Sequence, residues 1–246
     1  MLKEPNINGF TWRSAAITAQ GNVRNHNEDA VSDLPGVGLW AVADGMGGHN
    51  AGDFASRMIV EALCGVSRRD RLSELLDDVE DRMQFVNERL YRKSLDDGRV
   101  CGSTVAILLA FADRCLSVWA GDSRIYRWRT GCFSCITRDH SEVQELLDEG
   151  ALDAAVAGRH AAQNVITRAV GGTEKLYLDL ELRELQDRDR YLICSDGLYK
   201  EVAEERLAAM LGAHDPHEVC NALLKEALGG ACQDNVSAIV VEFSRA

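Results

Sequence analysis

The sequence predicts an antiparallel α+β layered fold, on three observations. Short strand-like runs follow one another through tight turns, helical periodicity comes in separate blocks, and the runs are bounded by Gly, Asp or Asn. Strands are expected over residues 12–19, 38–43, 104–111, 115–120, 124–128, 178–183, 191–194 and 236–243, where β-branched and aromatic side chains concentrate. Helices are expected over 51–66, with Phe54, Met58, Ile59 and Leu63 on one face, and over 72–95 and 216–228. The runs FADRCLSV and GDSRIYRWRTGCFSC leave only a few turn residues between strands, which suits meanders and is too short for a parallel crossover. Residues 152–164, alanine-rich around Gly158, Arg159 and His160, lack a period and read either as a surface loop with one helical turn or as a lid beside a site.

With 46% hydrophobic residues and three prolines among 246, the chain can bury one sizeable core, so a single domain over 1–246 is expected. No window approaches the roughly 20 apolar residues that span a bilayer, and residues 1–8 lack a basic region followed by an apolar one. A free-standing cytoplasmic protein is the expectation. The formal charge of −12, from 39 acidic against 27 basic residues, repels polyphosphate backbones, which argues against nucleic acid as a partner. A carboxylate surplus is either solvated surface or a site for hard cations, and motif context must decide. The eight cysteines lie mostly in apolar runs, where a thiol serves as a small hydrophobe, and no disulfides are expected. Cys132 and Cys135 have no second ligand pair for zinc, and three residues apart on a strand they point to opposite faces.

Three aspartates share an unusual setting. Asp44 ends LWAVAD and precedes GMGG, Asp196 follows YLICS and precedes GL, and Asp234 precedes NVSAIVVEF. A carboxylate at the end of an apolar strand costs several kcal/mol to bury, roughly, unless a cation or donors compensate it, so three of them imply convergence on one cation site. Gly45, Gly47 and Gly48 allow the backbone to turn tightly beside Asp44 and bring a carbonyl close to whatever the carboxylate binds. Such oxygens suit Mg²⁺ or Mn²⁺, whereas six histidines with none in HExxH spacing argue against a zinc hydrolase.

The ordered set RNHNEDA (24–30), ADGMGGHNAG (43–52), GST (102–104), GDSRIYR (121–127), DHS (139–141), ITRAVGG (166–172), CSDGL (194–198) and DNVSAIVV (234–241) resembles the bacterial type 2C serine/threonine protein phosphatases, of the metal-dependent protein phosphatase family. The resemblance runs from about residue 12 to residue 243, nearly the whole chain. It implies a four-layer αββα sandwich, two central antiparallel sheets flanked by helices, with a flap over about 141–164. It further implies two Mn²⁺ or Mg²⁺ ions, with Asp44 bridging them, the Gly45 carbonyl on one, Asp196 and Asp234 on the other, and Glu28 reached through a water. Asp122 matches a position that some bacterial members use for a weaker third metal ion, and Arg24 matches the phosphate-binding arginine. A water between two dications loses its proton near neutral pH and can attack phosphorus in line.

Phosphoserine and phosphothreonine proteins are the implied partners, set by an opposing bacterial serine/threonine kinase, with the enzyme as a monomer. The chain departs from many eukaryotic members at Met46, which stands where they carry a histidine proposed as general acid. Methionine donates no proton, so the expectation is a metal-bound water as donor, with His49 read as a loop histidine. The alternatives are a catalytically weak binding or regulatory protein on the same fold, or a hydrolase of small phosphate esters. Loss of the metal carboxylates would mark the binding protein, and Asp44, Asp196 and Asp234 are all present.

Overall fold

Apolar runs without alternation are the mark of strands buried on both faces, and runs of this kind build the centre of this molecule. The computed structural model describes residues 9–48, 51–158 and 160–246. In chain order the elements are β1 (Phe10–Ala19), β2 (Asp29–Leu34), β3 (Leu39–Met46), α1 (Ala51–Cys64), α2 (Leu72–Asp97), β4 (Gly102–Ser103), β5 (Val105–Phe111), β6 (Arg114–Ala120), β7 (Arg124–Arg129), β8 (Cys132–Cys135), α3 (Glu142–Asp148), α4 (Ala154–Ala157), β9 (Asp179–Glu184), β10 (Arg190–Cys194), α5 (Asp196–Tyr199), α6 (Glu204–Ala213), α7 (Pro216–Gly229) and β11 (Val236–Arg245). They form two antiparallel sheets, ordered β1-β11-β10-β7-β8 and β2-β3-β5-β6-β9, with β4 paired to β3.

Along β11 the side chains of Ile239, Val241 and Phe243 enter the layer between the sheets, while Ala238 and Val240 face the other way, under α6 and α7. The same division in β5 sends Ala106, Leu108 and Ala110 between the sheets and Val105, Ile107 and Leu109 under α1 and α2. Period-two alternation therefore persists, but both phases are apolar because helices cover each outer face. The resulting order is helices, sheet, sheet, helices, the four-layer sandwich expected above. Between the sheets Trp12, Trp40, Tyr191 and Phe243 meet edge to face, with ring centroids 5.7–6.1 Å apart across the pairs Trp12–Trp40, Trp12–Phe243, Trp40–Phe243 and Tyr191–Phe243.

The expected strands are all present, with bounds shifted by a residue or a few. The sequence reading missed β2, whose DAVSDL is poor in strand formers and is held by pairing along β3 from Asp29↔Asp44 to Leu34↔Leu39. It also missed α6, although Leu207, Met210 and Leu211 form the buried i, i+3, i+4 stripe of a short helix. One expected face is corrected: in α1 the buried stripe is Gly52, Ala55, Ser56, Ile59 and Leu63, while Phe54 is exposed beneath the Lys93 ammonium, 5.5 Å from its ring centroid. Phe54 lies five residues before Ile59, about 140° around the helix, so it cannot share that face. All eight cysteines are free, Cys64, Cys132 and Cys135 being exposed. Among the described residues no helix is long and apolar enough to cross a membrane.

Antiparallel pairing brings the C-terminal ends of β3, β6 and β10 and the N-terminal ends of β2, β7 and β11 to one edge of the sandwich. All the aspartates singled out by sequence lie on that edge.

Candidate active site

Asp44 is fixed through its backbone. Its N–H donates to Thr104 Oγ1 at 3.1 Å, and its carbonyl accepts from the Thr104 N–H and from Ser103 Oγ, both at 2.9 Å. Thr104 Oγ1 also meets Ser123 Oγ at 2.7 Å, which ties β3 to the β6–β7 turn that carries Asp122. Gly45 follows because nothing larger fits: a Cβ there would lie 2.1 Å from the Gly52 carbonyl oxygen and 2.7 Å from that of Glu28. The start of α1, the end of β3 and the Glu28 loop thus meet at a pair of glycines.

Asp196 opens α5 directly after β10. Gly197 next to it packs on the residue after Asp234, where an added Cβ would be 2.0 Å from the Asn235 carbonyl oxygen. Asp234 Oδ2 accepts from Arg24 Nη2 at 2.7 Å, and its Oδ1 accepts from the Asn235 N–H at 2.9 Å. Buried Asn235 then organises the neighbouring loop. Its Oδ1 takes the Glu28 N–H at 2.8 Å, while its Nδ2 donates to the carbonyls of Gln20 at 2.8 Å and His26 at 2.9 Å.

Arg24, Glu28, Asp44, Gly45, Met46, Asp122, Asp196 and Asp234 line one cleft of about 250 Å³, so the structure brings together every predicted site residue that it describes. His49 lies outside the described residues. A larger cavity of about 820 Å³ adjoins the cleft, sharing Arg24, Asp122, Asn164 and Asp234, and is walled by Ser141, Gln144, Leu147, Ala157 and Gly158. The 141–164 segment therefore contributes α3 and α4 to the rim, of which α3 starts from the Ser141 cap that receives the Gln144 N–H.

The electrostatics are those of carboxylates crowded away from water. Burial, then the charges of Asp29, Asp196, Asp122 and Asp234, push the Asp44 carboxyl well above the usual range. Burial and the Asp196 charge lift Asp122 to about 7. Asp29 also rises to about 7, since burial outweighs the hydrogen bonds from Ser195 and Ser237. Three oxygens, Asp29 Oδ1, Asp122 Oδ1 and Asp196 Oδ1, are buried with no hydrogen-bond partner. Two cations answer part of the charge: Arg24 holds Asp234, and Lys200 Nζ lies 2.5 Å from Asp196 Oδ2. Among the described residues the acids share the cleft without closing into a three-ligand cage. Unpaired, mutually repelling carboxylate oxygens fit hard divalent cations, which neutralise the charge and satisfy the lone pairs together.

Sequence reasoning overlooked Asn235, Lys200 and the Asp29–Ser195 pair, whose hydroxyl donates to Asp29 Oδ2 at 2.7 Å. Asn235 was visible only as the neighbour of Asp234. Lys200 is four residues after Asp196, a spacing that signals an ion pair once the intervening turn is known to be helical.

A two-sheet sandwich with helices outside and an acid-lined cleft at one strand edge defines the architectural class of the metal-dependent phosphatases. The chain belongs to the protein phosphatase 2C family, whose sequence pattern matches residues 22–228. It is 35% identical over 232 residues to the serine/threonine protein phosphatase PstP of Mycobacterium tuberculosis, covering 94% of this chain and 45% of PstP, so it spans about half the length of that relative. Among solved structures it superposes on PppA, a key regulatory component of T6SS in Pseudomonas aeruginosa, with a TM-score of 0.88 and 40% identity, covering 96% of this chain and 98% of PppA. The catalytic domain of PstP in complex with two manganese ions matches with a TM-score of 0.84 and 33% identity, over 96% of this chain and 99% of that domain.

Proposed function

We propose that this chain is a metal-dependent protein serine/threonine phosphatase, one domain over 1–246 with a flap at about 141–164, acting on cytoplasmic phosphoproteins as a monomer opposite a serine/threonine kinase. One observation carries the reading: Asp44, Asp196 and Asp234 converge in a cleft with unpaired buried carboxylate oxygen, beside an arginine that is half exposed. PstP is named a serine/threonine protein phosphatase, and its catalytic domain was solved with two manganese ions, which supports the same cofactor here.

Asp44, Asp196 and Asp234, with the Gly45 carbonyl and Glu28 at the margin, would hold two Mn²⁺ or Mg²⁺ ions. Bound there, such ions supply Lewis acidity and lower the pKa of water toward neutrality. The protein's own residues do the rest. Arg24, 51% exposed and already oriented over the cleft by Asp234, offers a guanidinium fork to two phosphate oxygens of an incoming phosphoester. Asn235 holds the 20–28 loop so that Arg24 and Glu28 keep their places relative to Asp234. Met46 lines the cleft and carries no proton, so the departing seryl or threonyl oxygen is protonated by water. The cleft is continuous with the larger cavity, a shape that accepts a residue presented on a peptide.

The test is phosphate release from phosphoserine and phosphothreonine peptides by the purified chain with Mn²⁺, alongside Asp44→Asn. Turnover by the native chain and none by the variant supports the proposal. Equal rates from both would place the chemistry elsewhere, and absence of turnover with any phosphopeptide would favour a binding role for the fold.

A further inference from the structure

Asp122 and Asp196 both line the cleft, and each has a buried Oδ1 without a hydrogen-bond partner. Their repulsion is answered from within the chain. Lys200, at the end of α5, places its Nζ 2.5 Å from Asp196 Oδ2 and 2.8 Å from Asn164 Oδ1, with about a third of its side chain exposed. Its charge is felt at Asp122 as well, where it opposes the effect of Asp196. Tyr199 sets the geometry from the neighbouring position, its hydroxyl donating to the Asp122 carbonyl at 3.0 Å. An ammonium anchored on two sides in this way holds Asp196, the neighbour in the cleft of the Asp122 position at which the sequence resemblance placed a third metal ion.

We infer that Lys200 is a tethered cation that takes the place of a third metal ion between Asp122 and Asp196, an inference that rests on the reading of Asp44, Asp196 and Asp234 as ligands. A divalent ion entering there must displace the ammonium from Asp196 or lie against it, and like charges at contact distance disfavour each other. A hard cation also needs carboxylate oxygen, and Lys200 already occupies Asp196 Oδ2. The chain accordingly works with two divalent ions, and the charge beside Asp122 is permanent and independent of metal supply. Lys200 is a positioning residue here; it touches Asp196, not the phosphoester.

Counting Mn²⁺ bound per chain, by equilibrium dialysis with metal analysis up to millimolar free metal, tests this without recourse to activity. Native protein is expected to bind two ions, Lys200→Arg two, and Lys200→Met, which keeps the stem and loses the charge, three. Adding Asp122→Asn to Lys200→Met should return the count to two, and circular dichroism confirms that each variant is folded. Three ions on the native chain, or a count unchanged in folded Lys200→Met, overturns the inference and leaves the two-ion reading standing. A native chain that binds none overturns that reading together with the inference.

Discussion

The two ends of β10 are flanked by acids that behave in opposite ways. At its start Asp189, fully buried, accepts from Arg129 Nε and Nη2, both at 2.6 Å, and from the Gln186 N–H at 2.9 Å. At its other end Asp196 meets Lys200 with one oxygen and leaves the other buried and unpaired, next to Asp44 and Asp122 whose carboxyls are pushed upward. One end is a completed ion pair that closes a turn. The other is an unbalanced cluster, and it is the end that can bind a cation. Of these two acids, the one with both oxygens paired closes a turn, and the one with an unpaired buried oxygen lies in the acid cluster.

Breaking the functional end should abolish turnover and spare the fold. Asp44→Asn is expected to remove phosphatase activity, while thermal melting in chelator stays the same or rises, since the variant deletes a charge that burial and four neighbouring acids disfavour. A variant that melts far lower would make Asp44 a structural residue like Asp189.

Arg24→Ala should lower kcat/KM by about 10²-fold through loss of a charge-assisted phosphate contact, with metal affinity hardly changed. Steady-state kinetics with a phosphothreonine peptide checks this. Asn235→Ala, which frees the Glu28 loop but touches no substrate, is expected to cost about 10–100-fold, the scale of residues that orient a site from behind.

The structural end should give the reverse pattern. Asp189→Asn leaves the Arg129 guanidinium without its carboxylate and is expected to destabilise the protein by about 3–5 kcal/mol, with kcat per folded molecule unchanged. Denaturant melts combined with active-site titration separate the two quantities. Preserved stability in Asp189→Asn would erase the contrast on which the comparison stands.

The last effect is a pH slope in the metal-free protein. Asp29 keeps its proton to about 7 in the folded chain, against an ordinary value of 3.8. Between these values the unfolded chain has lost a proton that the folded chain retains, so stability is greatest below the lower value and falls as pH rises toward the upper one. Melting temperature in chelator should decline across that window, and Asp29→Asn should flatten the decline.

Much of this was legible in the sequence because the relevant signals are local. Apolar runs ending in Asp-Gly located Asp44 and Asp196, and short turns between runs specified antiparallel pairing. What stayed hidden depends on contacts between distant segments. The Asn235 amide reaches back more than 200 residues to Gln20 and His26, the Ser195 hydroxyl reaches Asp29 across the sheets, and β2 exists only through its partner β3. Phe54 was misplaced for a simpler reason: four apolar residues in one helical window do not all fall within one stripe.

The central claim is that the acid cluster works by holding divalent cations, and reversible chelation tests it most directly. Protein stripped with chelator should release no phosphate from a phosphothreonine peptide and recover its full rate when excess Mn²⁺ is restored. A stripped sample, verified metal-free by elemental analysis, that turns over at the full rate would contradict the account.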